Sequence, residues 1–541
     1  MKLVLEQKIR ESIIALQEEG QLSSLNMPEI HVERPKGEQF GDYTSNIALM
    51  LAQQVKKSPL VLAEMIQEKL LLVECEKIEV VKPGYINFFL TQEQLTALLS
   101  HVLSERSSYG NNTAGQGIQV NNEFISANPT GPLHLGNGRG GFFGDVLARI
   151  LRKSGYMVIN EYYVNDAGEQ TQKLGHSVLK DAEAVYGGEY IEELRSKLFK
   201  IKNQKSKIKN EDLSAQEIGE KAAEMVIDEM IKRTLREKMH ITFDAFVSEK
   251  KDILEAGWVD KALDILQKNG KTFEQDGALW LQTTAYGDDK DRVLIKKDGV
   301  KTYFASDCGY ILHKMERGFD RMIEIWGADH HGYVERFKAA AQALGFSGKM
   351  DFILVQMVRL VKDGKEVRMS KRAGNVVTID ELIEKVGHDV ARFFFLLYAP
   401  DTHMNFDLGL AEEHSQKNPV FYVQYAYARL ASMLRKSEAE NVYQGVADMS
   451  LLTHIKEREL IREILFFPEL IEIIAHDFSV HRLPQYAIRL ADKLHSFYDQ
   501  CRVLDGENMS LSLARLELIK AVQIVLKETL DMMGVTAPEK M

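Results

Sequence analysis

Apolar residues recur every three or four positions from Leu3 to Glu18, over Ile47–Val55 and over Leu60–Leu71, which predicts three helices near the start of the chain. An extended stretch at Ile30–Arg34 and a polar turn, PKGEQFGDYTSN, separate the first two. KIEVVKPGYINFFL then places two apolar runs around Pro83-Gly84, the pattern of a strand pair joined by a turn. The small, polar, glycine-rich SSYGNNTAGQG (107–117) reads as a linker. Residues 1–108 are therefore expected to form a small α+β domain.

From about residue 118 the pattern alternates between strand-like and helical runs. EFIS (123–126), MVINEYYV (157–164), ALWLQTT (278–284), RMIEIWG (321–327) and FILVQMV (352–358) are the predicted strands. LIKKDGVKTYFAS sets Asp298-Gly299 between two strand-like halves and predicts a hairpin. After about residue 410 only helical periodicity remains, over 411–436, 449–475, 479–503 and 509–534, with Gly506 and Gly534 as breaks. The expectation is an α/β domain over 118–410 followed by an all-α bundle over 411–541.

Composition narrows the class. With 541 residues, 45% apolar and 27% charged, the chain has the make-up of an ordinary globular protein of several domains. It holds no uncharged apolar run of about 18 residues, so no membrane span is expected. Its first residues, MKLVLEQKIRESIIALQ, mix charges into the apolar pattern, unlike a signal peptide. Cys75, Cys308 and Cys501 lie far apart without a C-x-x-C pair, which argues against a disulfide framework or a cysteine zinc site and fits a reducing cytoplasm. A net charge of −11 counts against a purely electrostatic nucleic-acid binder, leaving local basic patches to do any such work. The lysine-rich stretch from Lys197 to Lys209 reads as a solvated insertion or as a basic contact loop.

Two stretches carry chemistry. In SANPTGPLHLGNGRGG (126–141), Gly136, Gly138 and Gly141 spell G-x-G-x-x-G, with Glu161 near the distance of a ribose-binding acid. A dinucleotide site wants its first glycine directly after the strand, and here Asn-Pro-Thr-Gly-Pro intervenes. An oxidoreductase binding NAD is the weaker reading. A helix starting near His134 would instead put His134 and Asn137 on one face of its first turn, an anion site suited to a triphosphate. Gly136 would let a flat group approach, and Gly138, Gly140 and Gly141 would keep bulk away; a glycine-lined packing contact is the alternative. Far downstream, VKDGKEVRMSKRAGNVVTIDEL carries Lys362 just ahead of Gly364, and Lys365, Arg368, Lys371 and Arg372 between Gly364 and Gly374. Thr378 and Glu381 form a capping box for the next helix. Such a loop suits a pyrophosphate leaving group, though an ordinary solvated basic turn has the same composition.

Together these stretches resemble the paired signatures of class I aminoacyl-tRNA synthetases, His-Ile-Gly-His and Lys-Met-Ser-Lys-Ser. His134-Leu135-Gly136-Asn137 departs from the first at its last position, and Arg368-Met369-Ser370-Lys371-Arg372 matches the second at its centre. FISANPTGPLHLGN, EYYVNDAGEQ, FDAFVSE, ERGFDR, WGADHHGYV, NPVFYVQYAYAR and GVTAPEKM make the chain resemble the arginyl-tRNA synthetase family nearly end to end. The resemblance implies a class I Rossmann-type catalytic domain (118–410), a small α+β N-terminal domain contacting tRNA (1–108), and an all-α anticodon-binding bundle (411–541).

It also implies ATP-dependent activation of arginine, transfer to the 3′ end of tRNA(Arg), a cytoplasmic monomer, and Mg²⁺ arriving with ATP. No protein nucleophile is needed, since positioning and charge stabilisation supply the rate. Carried over by the resemblance, ATP would be held by His134, Gly136, Asn137, Gly138, Met369, Ser370 and Lys371. Of these His134, Asn137 and Lys371 would be catalytic. An amide never carries positive charge, so Asn137 can replace the family's histidine only as a neutral donor. Arginine would be held by Asn128 at its amino-acid end, by Glu249 and Asp307 around the guanidinium, by Tyr303 along its stem, and by the loop bearing His330. Two carboxylates suit a planar, permanently charged fork of donors. Asp329, His330 and His331 are consecutive, which does not suit convergence on one metal ion, so no structural metal is expected. Phe421, Tyr422, Tyr425 and Tyr427 are either stacking platforms for RNA or bundle core.

Overall fold

The computed structural model describes residues 1–35, 37–205, 213–367, 377–440 and 445–541. The chain divides into two compact units, one of residues 1–109, 429–467 and 492–525, the other of residues 110–428, 468–491 and 526–541.

In the first unit, helix Lys2–Glu18 buries Leu5, Ile9, Ile13 and Leu16 along one stripe. Helix Ile47–Val55 forms where its periodicity predicts, and Ser58 caps helix Pro59–Lys69 by accepting from the Val61 amide. The antiparallel sheet runs in the order Val32–Glu33, Tyr43–Ser45, Tyr85–Leu90, Cys75–Val81. The strand Tyr43–Ser45 lies within the segment expected to be a polar turn. Its neighbour Asp42 explains the difference: the carboxylate is buried, accepts from the Leu90 amide at 2.8 Å and pairs with Arg462, so polar residues there are interior. Helical segments from 429–467 and 492–525 complete this unit, with Arg515 Nε donating to Glu457 at 2.6 Å.

The run 449–475, expected as one helix, is two: Ile455–Leu465 and Phe467–Asp477. Pro468 has no N–H to continue the ladder across the join. The helix expected over 411–436 begins only at Pro419. On it Tyr427 is buried as core and Tyr425 is exposed.

The second unit is built on a five-stranded parallel sheet in the order Lys349–Val355, Arg321–Gly327, Gln119–Phe124, Met157–Val164, Ala245–Ser248. The chain starts in the middle strand and winds first one way and then the other. The reversal puts a crevice at the carboxyl ends of Gln119–Phe124 and Arg321–Gly327, where open α/β sheets bind ligands. FILVQMV, expected as one strand, spans two: Lys349–Val355 and Val358–Lys362, the latter pairing with Met404–Asp407 and Lys365–Glu366. Ala278–Leu281 belongs to a separate antiparallel sheet with Thr272–Gln275 and Arg292–Ile295.

The hairpin expected around Asp298-Gly299 has a turn but hardly a second strand. A single bridge joins Ile295 to Lys301, and YFAS opens helix Tyr303–Glu316. Thr302 caps that helix by accepting from the Ala305 amide, and Phe304, Ala305, Cys308, Ile311 and Leu312 bury one helical face. The helical period won over the hairpin signal. Among the described residues, no helix is long and apolar enough to cross a membrane.

Candidate active site

The middle strand ends at Phe124, earlier than expected, because Ile125 (φ 67°) and Ser126 (φ 39°) turn the backbone into the left-handed region. For a β-branched residue this costs on the order of 1–3 kcal/mol and persists only where surrounding contacts enforce it. Three hydroxyls do so. Ser126 Oγ donates to Glu123 Oε1 (2.9 Å) and accepts from the Tyr163 amide (3.0 Å). Tyr162 donates to the Ala127 carbonyl and Tyr190 to that of Thr130, each at 3.0 Å. Asn128 stands exposed between these last two anchor points.

The loop delivers His134 as the N-cap of helix Leu135–Lys153. The His134 amide donates to Asn137 Oδ1 (3.0 Å), and the Gly136 amide donates to His134 Nδ1 (3.1 Å). An amide N–H can only donate, so Nδ1 is unprotonated and the neutral ring carries its proton on Nε2. Desolvation holds the His134 pKa below its ordinary value, opposed by the carboxylate of Asp329. His134 is thus a neutral donor, and Asn137, its oxygen engaged, keeps both amide hydrogens for another partner.

The glycines of this helix answer the packing alternative. A Cβ at Gly138 would stand 2.5 Å from Ile379, one at Gly141 would stand 2.8 Å from Ile125 and Met239, and one at Gly144 would stand 2.4 Å from Phe124. Gly138 and Gly141 make room for neighbouring side chains, rather than clearing a ligand's approach as expected. Glu161, the acid at ribose-binding distance, is fully buried and pairs with Arg317. The dinucleotide reading therefore loses both its glycines and its acid.

The second motif's Met369, Ser370 and Lys371, with Arg368, Arg372 and Gly374, lie outside the described residues. Its flanks are defined. Lys362 Nζ donates to Glu412 at 2.7 Å and so is engaged in an ion pair. Thr378 and Glu381 form the expected capping box. Thr378 also forms a β-bridge with His134, and the Ile379 amide donates to the Leu133 carbonyl at 2.9 Å. The end of the second motif is stitched to the start of the first.

The acid pair sits on two different elements. Glu249, only 4% exposed, opens a π-helical turn after strand Ala245–Ser248. Asp166, which sequence reasoning did not single out, fixes this turn by accepting from Ser248 Oγ (2.6 Å) and the Lys250 amide (2.9 Å). Asp307 lies on helix Tyr303–Glu316. Burial, and then Asp166, pushes Glu249 up to about 7. Burial, and then Glu249, pushes Asp307 up to about 8, with Arg336 opposing. Among the described residues no side chain forms an ion pair or hydrogen bond with either carboxylate. Two desolvated carboxylates without a cation form a receptor for one.

Tyr163 lies beside them, its phenol raised by burial and then by Glu249, Tyr303 and Asp307. Tyr303, 54% exposed, is raised by burial and then by Asp307 and Glu249, and the field of Tyr333 also reaches it. Tyr333 ends the turn Ala328–Tyr333 that follows strand Arg321–Gly327. There His330 is exposed, edge-on to Trp326 with ring centres 6.1 Å apart and 5.9 Å from the Tyr333 ring. Glu249, Tyr303, Asp307, the His330 turn and His134 are thereby linked through neighbouring charges and rings around one crevice, with Asn128 on the loop that delivers His134. Among the described residues, no three His, Cys, Asp or Glu side chains gather as a metal site.

Comparison with known proteins identifies the family. Residues 3–90 match the model for the arginyl tRNA synthetase N terminal domain, 98–392 that for the class I (R) tRNA synthetase catalytic domain, and 423–541 that for the DALR anticodon binding domain. The chain is 42% identical over 557 residues to an arginine–tRNA ligase of Anoxybacillus flavithermus, covering 100% of this chain and 99% of the relative. It is 41% identical over 558 residues to that of Bacillus subtilis, with the same coverage. A solved structure of a putative arginyl-tRNA synthetase from Campylobacter jejuni superposes with a TM-score of 0.75 at 33% identity, covering 84% of this chain and 100% of the other. The Thermus thermophilus arginyl-tRNA synthetase shares the fold at 23% identity, with a TM-score of 0.78 and full coverage of both chains. With three family models matching in order, and full-length relatives above 40% identity, the chain belongs to the arginyl-tRNA synthetase family of class I.

Proposed function

We propose that this protein activates arginine with ATP to arginyl-adenylate and transfers it to the 3′ end of tRNA(Arg). The unpartnered pair of buried Glu249 and half-buried Asp307 carries the reading, because a guanidinium brings the fixed charge and the several donors that the two carboxylates lack. Tyr303 flanks its stem, and Asn128 and His330 take the amino-acid end. The arginine carboxylate then attacks the α-phosphate, and pyrophosphate leaves. His134 Nε2–H and the Asn137 amide meet the phosphates at a helix N-terminus, where the dipole favours anions, and ATP lies against the backbone at Gly136 and Gly138. Met369, Ser370 and Lys371 bind the same ATP by the family resemblance, Lys371 neutralising charge on the leaving group. Mg²⁺ would arrive with ATP and would offset phosphate charge, with no protein ligand assigned to it.

In this reading residues 411–541 bind the anticodon and residues 1–108 bind the outer part of the tRNA. The protein acts as a cytoplasmic monomer and needs tRNA for the first step. The test is ATP–pyrophosphate exchange with arginine, with and without tRNA(Arg), followed by charging of labelled arginine onto tRNA. Exchange with another amino acid in preference to arginine would refute the reading. Vigorous exchange without tRNA would remove only the coupling.

A further inference from the structure

On helix Tyr303–Glu316, Tyr303, Asp307, Tyr310 and Lys314 recur at spacings of four, three and four residues and share one face. The first two belong to the pocket, while the last two reach into the sheet. There Glu324, Glu123 and Glu161 stand in register on three adjacent parallel strands, all buried. Glu123 is the junction. Its Oε1 accepts from Ser126 Oγ at 2.9 Å, and its Oε2 accepts from the Tyr310 hydroxyl and from Lys314 Nζ, each at 2.6 Å. Ser126 Oγ in turn accepts from the Tyr163 amide, and the Tyr163 ring stacks on Tyr310 with centres 4.1 Å apart.

One carboxylate therefore ties together three pieces of the pocket: the loop that carries Asn128, the helix that carries Asp307, and the strand that carries Tyr163. None of the tying groups is needed for phosphate chemistry. The loop is the piece that most needs holding, since Ile125 and Ser126 both sit at positive φ. The Tyr310 hydroxyl lies 2.6 Å from Glu123 and 2.7 Å from Glu161, so it sits between two strands, its single proton going to one carboxylate at a time.

We propose that the buried Glu123–Tyr310 pair is a positioning device that fixes the span between the two ends of the arginine pocket, selecting arginine over guanidino amino acids one methylene shorter or longer. The proposal rests on the reading that Asn128 and Asp307 hold opposite ends of the substrate. One methylene changes transition-state binding by roughly 10–200-fold in a well-fitted pocket, and only while both ends stay fixed.

The test uses the full chain in ATP–pyrophosphate exchange with tRNA(Arg) present, with arginine, homoarginine and 2-amino-4-guanidinobutyrate as substrates. Tyr310→Phe keeps the ring stack and removes the hydroxyl. Ser126→Ala cuts the ties of the loop to Glu123 and to the Tyr163 amide and leaves Tyr310 in place. Each is expected to raise the arginine KM about tenfold, to leave the ATP KM within about twofold, and to lower the preference for arginine over both analogues at least about fivefold. Unchanged preference in both variants, or equal rises in the arginine and ATP KM values, overturns the proposal. Asp307→Asn separates this outcome from failure of the pocket reading. If Asp307→Asn leaves the arginine KM unchanged, the pocket is misplaced and the spacing proposal falls with it. If it abolishes arginine use while Tyr310→Phe and Ser126→Ala keep full preference, the spacing proposal alone falls.

Discussion

Two groups of desolvated carboxylates share helix Tyr303–Glu316 as a wall, and they are supplied with partners in opposite ways. The lower group, Glu123, Glu161 and Glu324, is supplied with cations: Lys314 reaches Glu123 at 2.6 Å and Glu324 at 2.7 Å, and Arg317 pairs with Glu161. The upper group, Glu249 and Asp307, receives none; burial raises both, as it also raises Glu324, so the difference between the groups is the missing cation and not the raised values. The contrast teaches that burial of acids alone does not mark a binding site. The mark is burial without the partner that a stable interior requires.

The sharpest way to break the comparison is to make the lower group resemble the upper one. Lys314→Met leaves Glu123 and Glu324 without their shared cation and is expected to destabilise the fold by about 3–5 kcal/mol. Urea denaturation followed by circular dichroism reads this directly; a loss below about 1 kcal/mol would mean that the glutamates neutralise themselves by taking up protons.

Asp307→Asn works in the other direction. It removes one unpaired acid, so the empty protein keeps its stability, whereas arginine affinity falls about a hundredfold or more because one arm of the guanidinium loses its charged partner. Calorimetric titration of arginine and of ATP should show the first loss and spare the second.

The pH dependence follows from the two raised values. Both groups hold protons more tightly in the folded empty protein than in the unfolded chain, so the stabilisation they give is present in acid and is lost as pH rises through 7 to 8. Arginine needs the ionised forms, and its affinity should therefore climb over the same interval and level off above it. The rise in melting temperature produced by a fixed arginine concentration should be larger at pH 8.5 than at pH 6, and Asp307→Asn should flatten that difference. An arginine effect that is the same at both pH values would sink the assignment of these acids.

The smallest effect is expected at the phosphate end. Since His134 is already a neutral donor, Asn137→His should leave exchange activity within about tenfold of the parent. A larger gain that develops only below the pKa of the new imidazole would show that a cation belongs there.

Much of this was legible in the sequence, and the exceptions have a common cause. Helix Ile47–Val55 and strands Met157–Val164 and Arg321–Gly327 match their predicted bounds, because their periodicity and flanking turns agree. Tyr43–Ser45 and the start of helix Tyr303–Glu316 were misread, because a buried partner in one case and an N-cap in the other decided the local structure. The site shows the same division. Glu249, Asp307 and Tyr303 became visible only through the family resemblance, and the structure brings them together. Asp166 and the Glu123–Tyr310 pair were missed, since what they do depends on strand register and not on spacing along the chain. One signal was available: a single glutamate stands inside each of the apolar runs EFIS, MVINEYYV and RMIEIWG, and an acid inside a buried strand demands a partner.

The bridge from His134 to Thr378 also sets when the site can exist during synthesis. The partner that braces the start of the ATP helix is encoded far downstream, so a nascent chain or a proteolytic fragment that stops short of residue 378 lacks that brace, however well its central strands have formed. Competence is thus delayed until the sheet, the pocket helix and the second motif have all emerged, and incomplete chains are born without a finished site.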